Sequence, residues 1–330
     1  MTASDVAYSY PRTALIGCGR WGRNIARVLS RLGALDLIVD PASEGLASFA
    51  KELRVRVTDD INEAFADGVE GVAIAAPAVD HARLALRALK AGKPAFVEKP
   101  LALELEDAEA VATLAAEKGL PLAVGHLLQY HPAFVTLKRL VSDGVIGELR
   151  HITSNRLNPG AIRVEENALW SMAPHDFSMV LGLAGVEPDH VSSLPVRVVN
   201  PAIPDQYFVQ LRFPGGVTAQ VNVAWLSPYK EHKLTVLGTK GALVFEDTAP
   251  ERARKLVIYR DYVDRSGQTP CFVKSAGEPI DWPAQEPLEV ELRTFLNAVR
   301  GESEVLTGPA EAIPVLRLLH RADLAAGSAA

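Results

Sequence analysis

Cysteine is scarce: Cys18 and Cys271 are the only two among 330 residues, and they lie far apart in the chain. A disulfide framework is excluded as a source of stability, and a reduced, cytoplasmic setting is the expectation. Long apolar runs are also missing. None approaches the ~20 residues that span a bilayer, so no membrane partner is expected. The opening MTASDVAYSYPR lacks the basic stretch and apolar core of a signal peptide, and residues 1–11 read as a loose arm. Positive charge is not in excess: the formal net charge is -6, with no basic stripe interleaved with aromatics, which argues against a nucleic-acid partner. The eight histidines are scattered and no His/Cys/Asp/Glu grouping has ligand spacing, so no metal is expected. Apart from the tail AAGSAA there is no low-complexity segment, and no repeat. The length exceeds what one core usually serves, so two domains are expected.

Over residues 1–127 short apolar strands alternate with amphipathic helices: TALI, then WGRNIARVLSRLG; LDLIVD, then SEGLASFAKEL; RVRV, then a short helix opened by Asp59-Asp60; GVAIAAP, then VDHARLALRALKAG; PAFVE, then ELEDAEAVATLAAEKG; and finally PLAVGH. Uninterrupted alternation of this kind predicts a doubly wound parallel sheet. Its strands are continuous apolar runs because both faces are buried. The first strand runs into Gly17-Cys18-Gly19-Arg20-Trp21-Gly22, a glycine turn that opens a helix. Such a turn lets backbone approach a pyrophosphate, which the N–H groups of the helix N-terminus attract. The second strand ends in Asp40, eighteen residues after Gly22 and near the spacing of a ribose-binding acid. A carboxylate there accepts from both ribose hydroxyls and repels a 2′-phosphate, so NAD is favoured over NADP. Lys99, in Val97-Glu98-Lys99-Pro100, stands at the rim where an apolar strand ends. From there an ammonium can polarise a substrate oxygen.

From residue 128 to 330 the pattern changes. A helix (PAFVTLKRLVSDG) and a strand (GELRHITSNRL) precede a helix near 174–184, and longer alternating stretches follow: HVSSLPVRVV, YFVQLRFPGG, VTAQVNVAWL, HKLTVLGTKG, ALVFED and KLVIYR. Alternation with Gly-Gly and Thr-Lys-Gly turns predicts an α+β domain with a large, mostly antiparallel sheet open on one face. The last two helices, EPLEVELRTFLNAVRG and PAEAIPVLRLLHRADLAAG, are candidates to pack back on the first domain. Trp225 and Trp282 are expected to pack.

Taken together, the glycine turn, Ala75-Ala76-Pro77 with His81 and Ala91-Gly92-Lys93, Glu98-Lys99-Pro100, Gly125-His126 with Tyr130 and Pro132, and Trp170 through Asp176 (WSMAPHD) resemble the Gfo/Idh/MocA oxidoreductases over nearly the whole chain. The resemblance implies a Rossmann domain, an open-sheet domain that often mediates homodimers or homotetramers, and a substrate between the two. It places NAD on Gly17, Gly19, Arg20, Trp21, Gly22, Asp40, Ala76, Pro77, His81, Glu98 and Lys99. The family's catalytic lysine maps onto Lys99 and its catalytic histidine onto His175. A histidine's ordinary pKa suits removal of a hydroxyl proton, while a fixed ammonium holds the oxygen as it gains alkoxide character.

The chain departs from the commonest family pattern where Ser171 and Ser178 replace aspartates. Asp176 reads as a first-turn acid, and Pro174 predicts a helix beginning close to His175. The stretch Asn155 to Arg163, with two arginines and two asparagines, suits an anionic, hydroxyl-rich ligand such as a nucleotide sugar. The expected substrate contacts are Lys99, His126, Tyr130, Arg156, Asn158, Arg163, Trp170, Ser171 and His175. Within the family this looks most like the branch that oxidises the 3-hydroxyl of UDP-N-acetylglucosamine or its uronic acid. That branch passes a 3-keto sugar to an aminotransferase for lipopolysaccharide sugars. An inositol or free-sugar dehydrogenase or ketosugar reductase of the same family stays open, as does an NAD-binding protein without turnover.

Overall fold

The computed structural model describes residues 10–160, 162–163, 166–260, 262–264 and 267–327. Most of the N-terminal arm expected from the sequence lies outside them. The chain divides into two compact units. The first runs to Tyr130 and includes Glu286–Leu316; the second comprises His131–Gln285 and the residues from Arg317.

Six parallel strands build the first unit: β1 (Thr13–Ile16), β2 (Leu35–Val39), β3 (Arg56–Thr58), β4 (Gly71–Ile74), β5 (Ala95–Val97) and β6 (Leu122–Val124), in the order β3-β2-β1-β4-β5-β6. Its helices are α1 (Gly22–Arg31), α2 (Ser43–Leu53), α3 (Ala78–Lys90) and α4 (Leu105–Lys118). β1, β4, β5 and β6 are buried at every position, as a sheet covered on both faces demands. The strand order reverses between β1 and β4, the place where open α/β sheets bind ligands.

The second unit opens with α5 (Pro132–Ser142), β7 (Leu149–Pro159) and α6 (Ala168–Ala184). It continues with β8 (His190–Val196), β9 (Gln206–Arg212), β10 (Thr218–Ala224), β11 (Leu226–Gly238), β12 (Gly241–Glu246), the short α7 (Arg252–Lys255), β13 (Leu256–Tyr259), β14 (Tyr262–Asp264), β15 (Cys271–Val273) and β16 (Glu278–Pro279). Eight strands form one sheet, β16-β13-β12-β11-β7-β10-β9-β8, antiparallel except where β7 and β10 run parallel; β14 and β15 pair by themselves. The Gly215-Gly216 turn between β9 and β10 has φ of +85° and +87°, a conformation that glycine tolerates without a Cβ penalty. α6 lies on β7, β9 and β10. Ile152, Ser154 and Arg156 of β7 are buried, whereas Thr153, Asn155, Gln220, Asn222 and Thr235 alternate with buried neighbours and keep partial exposure.

The chain closes with α8 (Pro287–Val299) and α9 (Pro309–Gly327). α8 belongs to the first unit. Its Leu288, Leu292, Phe295 and Leu296 recur at helical spacing and join Leu15, Ile25, Leu29 and Phe96 in one apolar cluster. Each such side chain contributes roughly 1.5–3 kcal/mol on burial.

One expected boundary is wrong. The helix that carries His175 starts at Ala168, not near 174: Asn167 caps it, its Oδ1 accepting from Trp170 N–H at 3.1 Å, and Pro174 sits inside the helix. Asp176 is therefore no first-turn acid.

Candidate active site

In the first unit, Gly17 ends β1 with φ +88°, and a Cβ there would stand 2.6 Å from Ala76 N at the end of β4. A Cβ on Gly22 would lie 2.3 Å from Gly17 O, so two of the three glycines are fixed by backbone approaching backbone. Gly19 differs: a Cβ there would meet nothing within 4 Å, leaving the turn open on the side an incoming pyrophosphate uses. Gly19, Arg20 and Trp21 are exposed, and α1 begins without a side-chain cap or an acid in its first turn. That helix end is electropositive and suited to an anion. Asp40 follows β2; its Oδ2 accepts from Cys18 N–H at 2.7 Å and its Oδ1 from Ala42 N–H at 2.8 Å, holding the carboxylate beside the glycine turn. The glycine cradle, the uncapped helix and the adjacent carboxylate together fit NAD.

The β4 end supplies Ala76 and then Pro77, the cap of α3. His81, expected at the cofactor, is instead an internal brace. It is 2% exposed, its Nδ1 lies 2.7 Å from Pro100 O and its Nε2 2.8 Å from Ala76 O, and burial lowers its pKa. It ties the start of α3 to the turn after β5. In that turn Glu98 is buried, accepts from Trp21 Nε1 and from Lys99 N–H at 3.2 Å, and has its pKa raised chiefly by burial. A Cβ on Gly125 would stand 2.9 Å from Glu98 Oε2, so glycine makes room for this carboxyl. Lys99 is half-buried at the same turn.

Two expected sugar contacts are occupied inside the first unit. His126 is 2% exposed with Nδ1 2.5 Å from Glu311 Oε2. The Tyr130 hydroxyl lies 3.0 Å from Thr307 Oγ1 and accepts from Thr307 N–H at 3.3 Å, and burial pushes the phenol up to about 12. Glu311 and Thr307 lie some 180 residues away in sequence, and no local pattern marks them as partners.

In the second unit, Trp170, Ser171 and His175 are the partly exposed residues of α6's first half, and Ser171 precedes His175 by one turn on the same face. Trp170 Nε1 donates to Asp323 Oδ2 at 3.1 Å, and Tyr207 OH donates to Asp323 Oδ1 at 3.2 Å. Asp176 turns the opposite way, is 1% exposed, and accepts from Ser154 Oγ at 2.6 Å and Arg156 Nε at 2.6 Å. Arg156, expected to reach for a diphosphate, is 8% exposed and committed to this ion pair. Its Nη1 lies 3.4 Å from His232 Nδ1, and His232 Nε2 lies 3.2 Å from Asn158 Oδ1. Burial and the Arg156 cation hold His232 down to about 3. It is therefore neutral, accepting at Nδ1 and donating from Nε2 to Asn158. Arg163 is exposed and pairs with Glu166.

Trp225 and Trp282 pack as expected: Trp225 is 2% exposed and donates to Asp205 Oδ1 at 2.7 Å, while Trp282 lies 5.5 Å from the His131 ring with Arg252 over its face. Among the described residues no group of three or more His, Cys, Asp or Glu could hold a metal, and no helix is long and apolar enough to cross a membrane.

Comparison with known proteins agrees with this geometry. Residues 11–126 match the Gfo/Idh/MocA oxidoreductase family model, described as an NAD-binding Rossmann fold, and residues 134–244 match a C-terminal domain of the same family. The chain is 27% identical to the UDP-N-acetylglucosamine 3-dehydrogenase of Acidithiobacillus ferrooxidans over 89% of its own length and 90% of the relative's. The solved structure of that enzyme superposes with a TM-score of 0.84 at 25% identity, covering 96% of this chain and 98% of the other. The inositol 2-dehydrogenase of Rhizobium meliloti is 31% identical over 72% of this chain and 76% of that one. The chain thus belongs to the Gfo/Idh/MocA oxidoreductases and carries their NAD-binding Rossmann domain.

Proposed function

We propose that the protein oxidises a secondary hydroxyl of a nucleotide sugar, the 3-hydroxyl of UDP-N-acetylglucosamine or its uronic acid. The observation that carries this reading is the near full-length similarity to a dehydrogenase of that substrate, in sequence and in fold. Bound NAD supplies the hydride acceptor. Lys99 holds the alcohol oxygen with its ammonium and stabilises alkoxide character, since a cation fixed in advance needs no reorganisation during reaction. His175 takes the hydroxyl proton, a role its partly exposed place on α6 leaves open. Trp170, Ser171, Asn158 and Arg163 belong to the sugar-facing set in this reading. The 3-keto product is the kind of ketone that an aminotransferase consumes, and the assembly is a homodimer or homotetramer in the cytoplasm.

The inositol 2-dehydrogenase relative favours a second reading, oxidation of a free cyclitol by the same two residues. Absorbance of reduced nicotinamide separates the two when UDP-N-acetylglucosamine, its uronic acid and myo-inositol are each offered with NAD. Turnover of a UDP sugar alone is the expected result, with Lys99→Ala slower by more than about a hundredfold, the scale of one acid/base group. Turnover of myo-inositol alone would replace the first reading with the second. An unimpaired Lys99→Ala would remove the mechanism from both.

A further inference from the structure

Pro174 has no N–H to give the Trp170 carbonyl, so the α6 ladder lacks one bond immediately before His175. The buried apolar residues of this stretch, Met172, Ala173 and Phe177, define which face turns inward. Contacts of that kind are non-directional and do not fix rotation or axial position closely. A directional anchor lies one residue on. Asp176 receives Ser154 Oγ and Arg156 Nε, each at 2.6 Å, and Arg156 Nη2 at 3.4 Å, all from β7. The planar guanidinium matches the carboxylate in two places, which sets angle as well as distance. Its third nitrogen is steadied by His232, and His232 by Asn158.

We infer that Arg156 is a positioning residue for His175, acting through Asp176, and not an anion-binding residue. This rests on the reading of His175 as the base. With Nε, Nη1 and Nη2 each on a protein partner, the arginine locks α6 in rotation against β7. His175, the next residue back and about 100° round the helix, is thereby aimed to the partly exposed side.

The test uses the intact protein with whichever sugar it oxidises fastest, in wild type, Arg156→Lys, His175→Ala and the double variant Arg156→Lys/His175→Ala. Lysine keeps the charge and loses the fork. Arg156→Lys should lower kcat by about tenfold or more, the scale of a small misplacement. KM for the sugar and inhibition by UDP should stay within about twofold, and Arg156→Lys should add almost nothing once His175 is alanine. A higher KM and weaker UDP inhibition at unchanged kcat would instead make Arg156 an anion ligand. Equal cost in both backgrounds would show that it does not act through His175. A full rate in His175→Ala would remove the base reading and this inference together, whereas a slow His175→Ala with a KM-only effect of Arg156→Lys would remove this inference alone. A substrate-free readout is the NMR resonance of the His175 ring, assigned with His175→Ala. It should shift in Arg156→Lys and in the folded, apolar pair Arg156→Met/Asp176→Leu; an unmoved resonance overturns the inference.

Discussion

Glu291 gives the sharpest quantitative prediction. It stands on α8 beside Leu288, Leu292 and Phe295, is 1% exposed, and neither carboxyl oxygen has a hydrogen-bond partner in the protein among the described residues. Burial raises its pKa well above the ordinary carboxylic value, and the nearby carboxylates of Glu98, Glu311 and Glu286 push the same way. The folded protein therefore keeps a proton that the unfolded chain releases near about pH 4.3. Above that pH the native state binds more protons than the unfolded one. The stability this group carries is then lost as pH rises, by about 1.4 kcal/mol per pH unit, until the folded carboxyl itself titrates. Glu291→Gln keeps the size and removes the ionisation. Its stability relative to wild type should climb by up to about 1.4 kcal/mol per unit between about pH 5 and pH 7. Glu291→Leu should exceed Glu291→Gln by roughly 1–3 kcal/mol, because it also removes an unpaired buried polar group. Urea denaturation followed by tryptophan fluorescence at several pH values measures both differences. A gap between Glu291→Gln and wild type that stays flat, or moves in favour of wild type as pH rises, would refute the reasoning.

Asp40→Ala removes the carboxylate beside the glycine turn and should weaken NAD binding by about tenfold or more while narrowing the preference over NADP, read by calorimetric titration with each dinucleotide; an unchanged preference would exclude Asp40 from the ribose site. Cys18 is buried and its thiol is pushed up to about 11, chiefly by burial, whereas Cys271 is exposed. A thiol reagent at neutral pH should therefore modify one cysteine quickly in the native protein and the second only after unfolding. Asp205 is 1% exposed and accepts from Val198 N–H, Val199 N–H and Trp225 Nε1 at 2.7–2.9 Å, so Asp205→Ala strands three donors and should cost about 3 kcal/mol or more in urea denaturation. Arg163→Ala should raise KM for a UDP sugar and weaken inhibition by UDP by about tenfold, with kcat little changed, as loss of one charge-assisted contact to a phosphate implies.

The parallel unit was legible because its signals are local. Runs such as GVAI and LAV, bounded by glycine, proline and helix caps, state both their period and their ends, and Gly17 and Gly22 mark backbone contacts that only glycine fits. Proline is common in a first turn, so Pro174 points to a start of α6 near His175, but a second signal points earlier. Asn167, three residues before the N–H it caps and directly before the apolar run ALW, is an N-cap by the same rules. Glu291 was equally visible: it falls three residues after Leu288 and four before Phe295, so the helical period alone puts a carboxyl on the buried face. Tyr130 and His126 were beyond such reasoning. Their partners, Thr307 and Glu311, arrive from the far end of the chain, and a tyrosine near a motif looks the same whether its hydroxyl meets a sugar or a threonine.

The two arginines of the stretch from Asn155 to Arg163 show where sequence chemistry stops. Both are cations near a strand end, and residue type alone gives them one role. Strand alternation already separates them, since Ser154 and Arg156 share a face and Arg163 lies beyond the strand. What alternation cannot supply is the acid on the helix above that face. Once Asp176 is there, at 1% exposure, its negative charge requires a buried positive partner. Arg156 is then a necessity of folding before it can be a ligand for anything else. Among the described residues Arg163 pairs with the partly exposed Glu166, a surface pair worth about 1 kcal/mol or less, so turning to a phosphate costs it little. On the proposed reading, anion recognition in this segment falls to the weakly held arginine, and the strongly held one is left to fix the helix that carries His175.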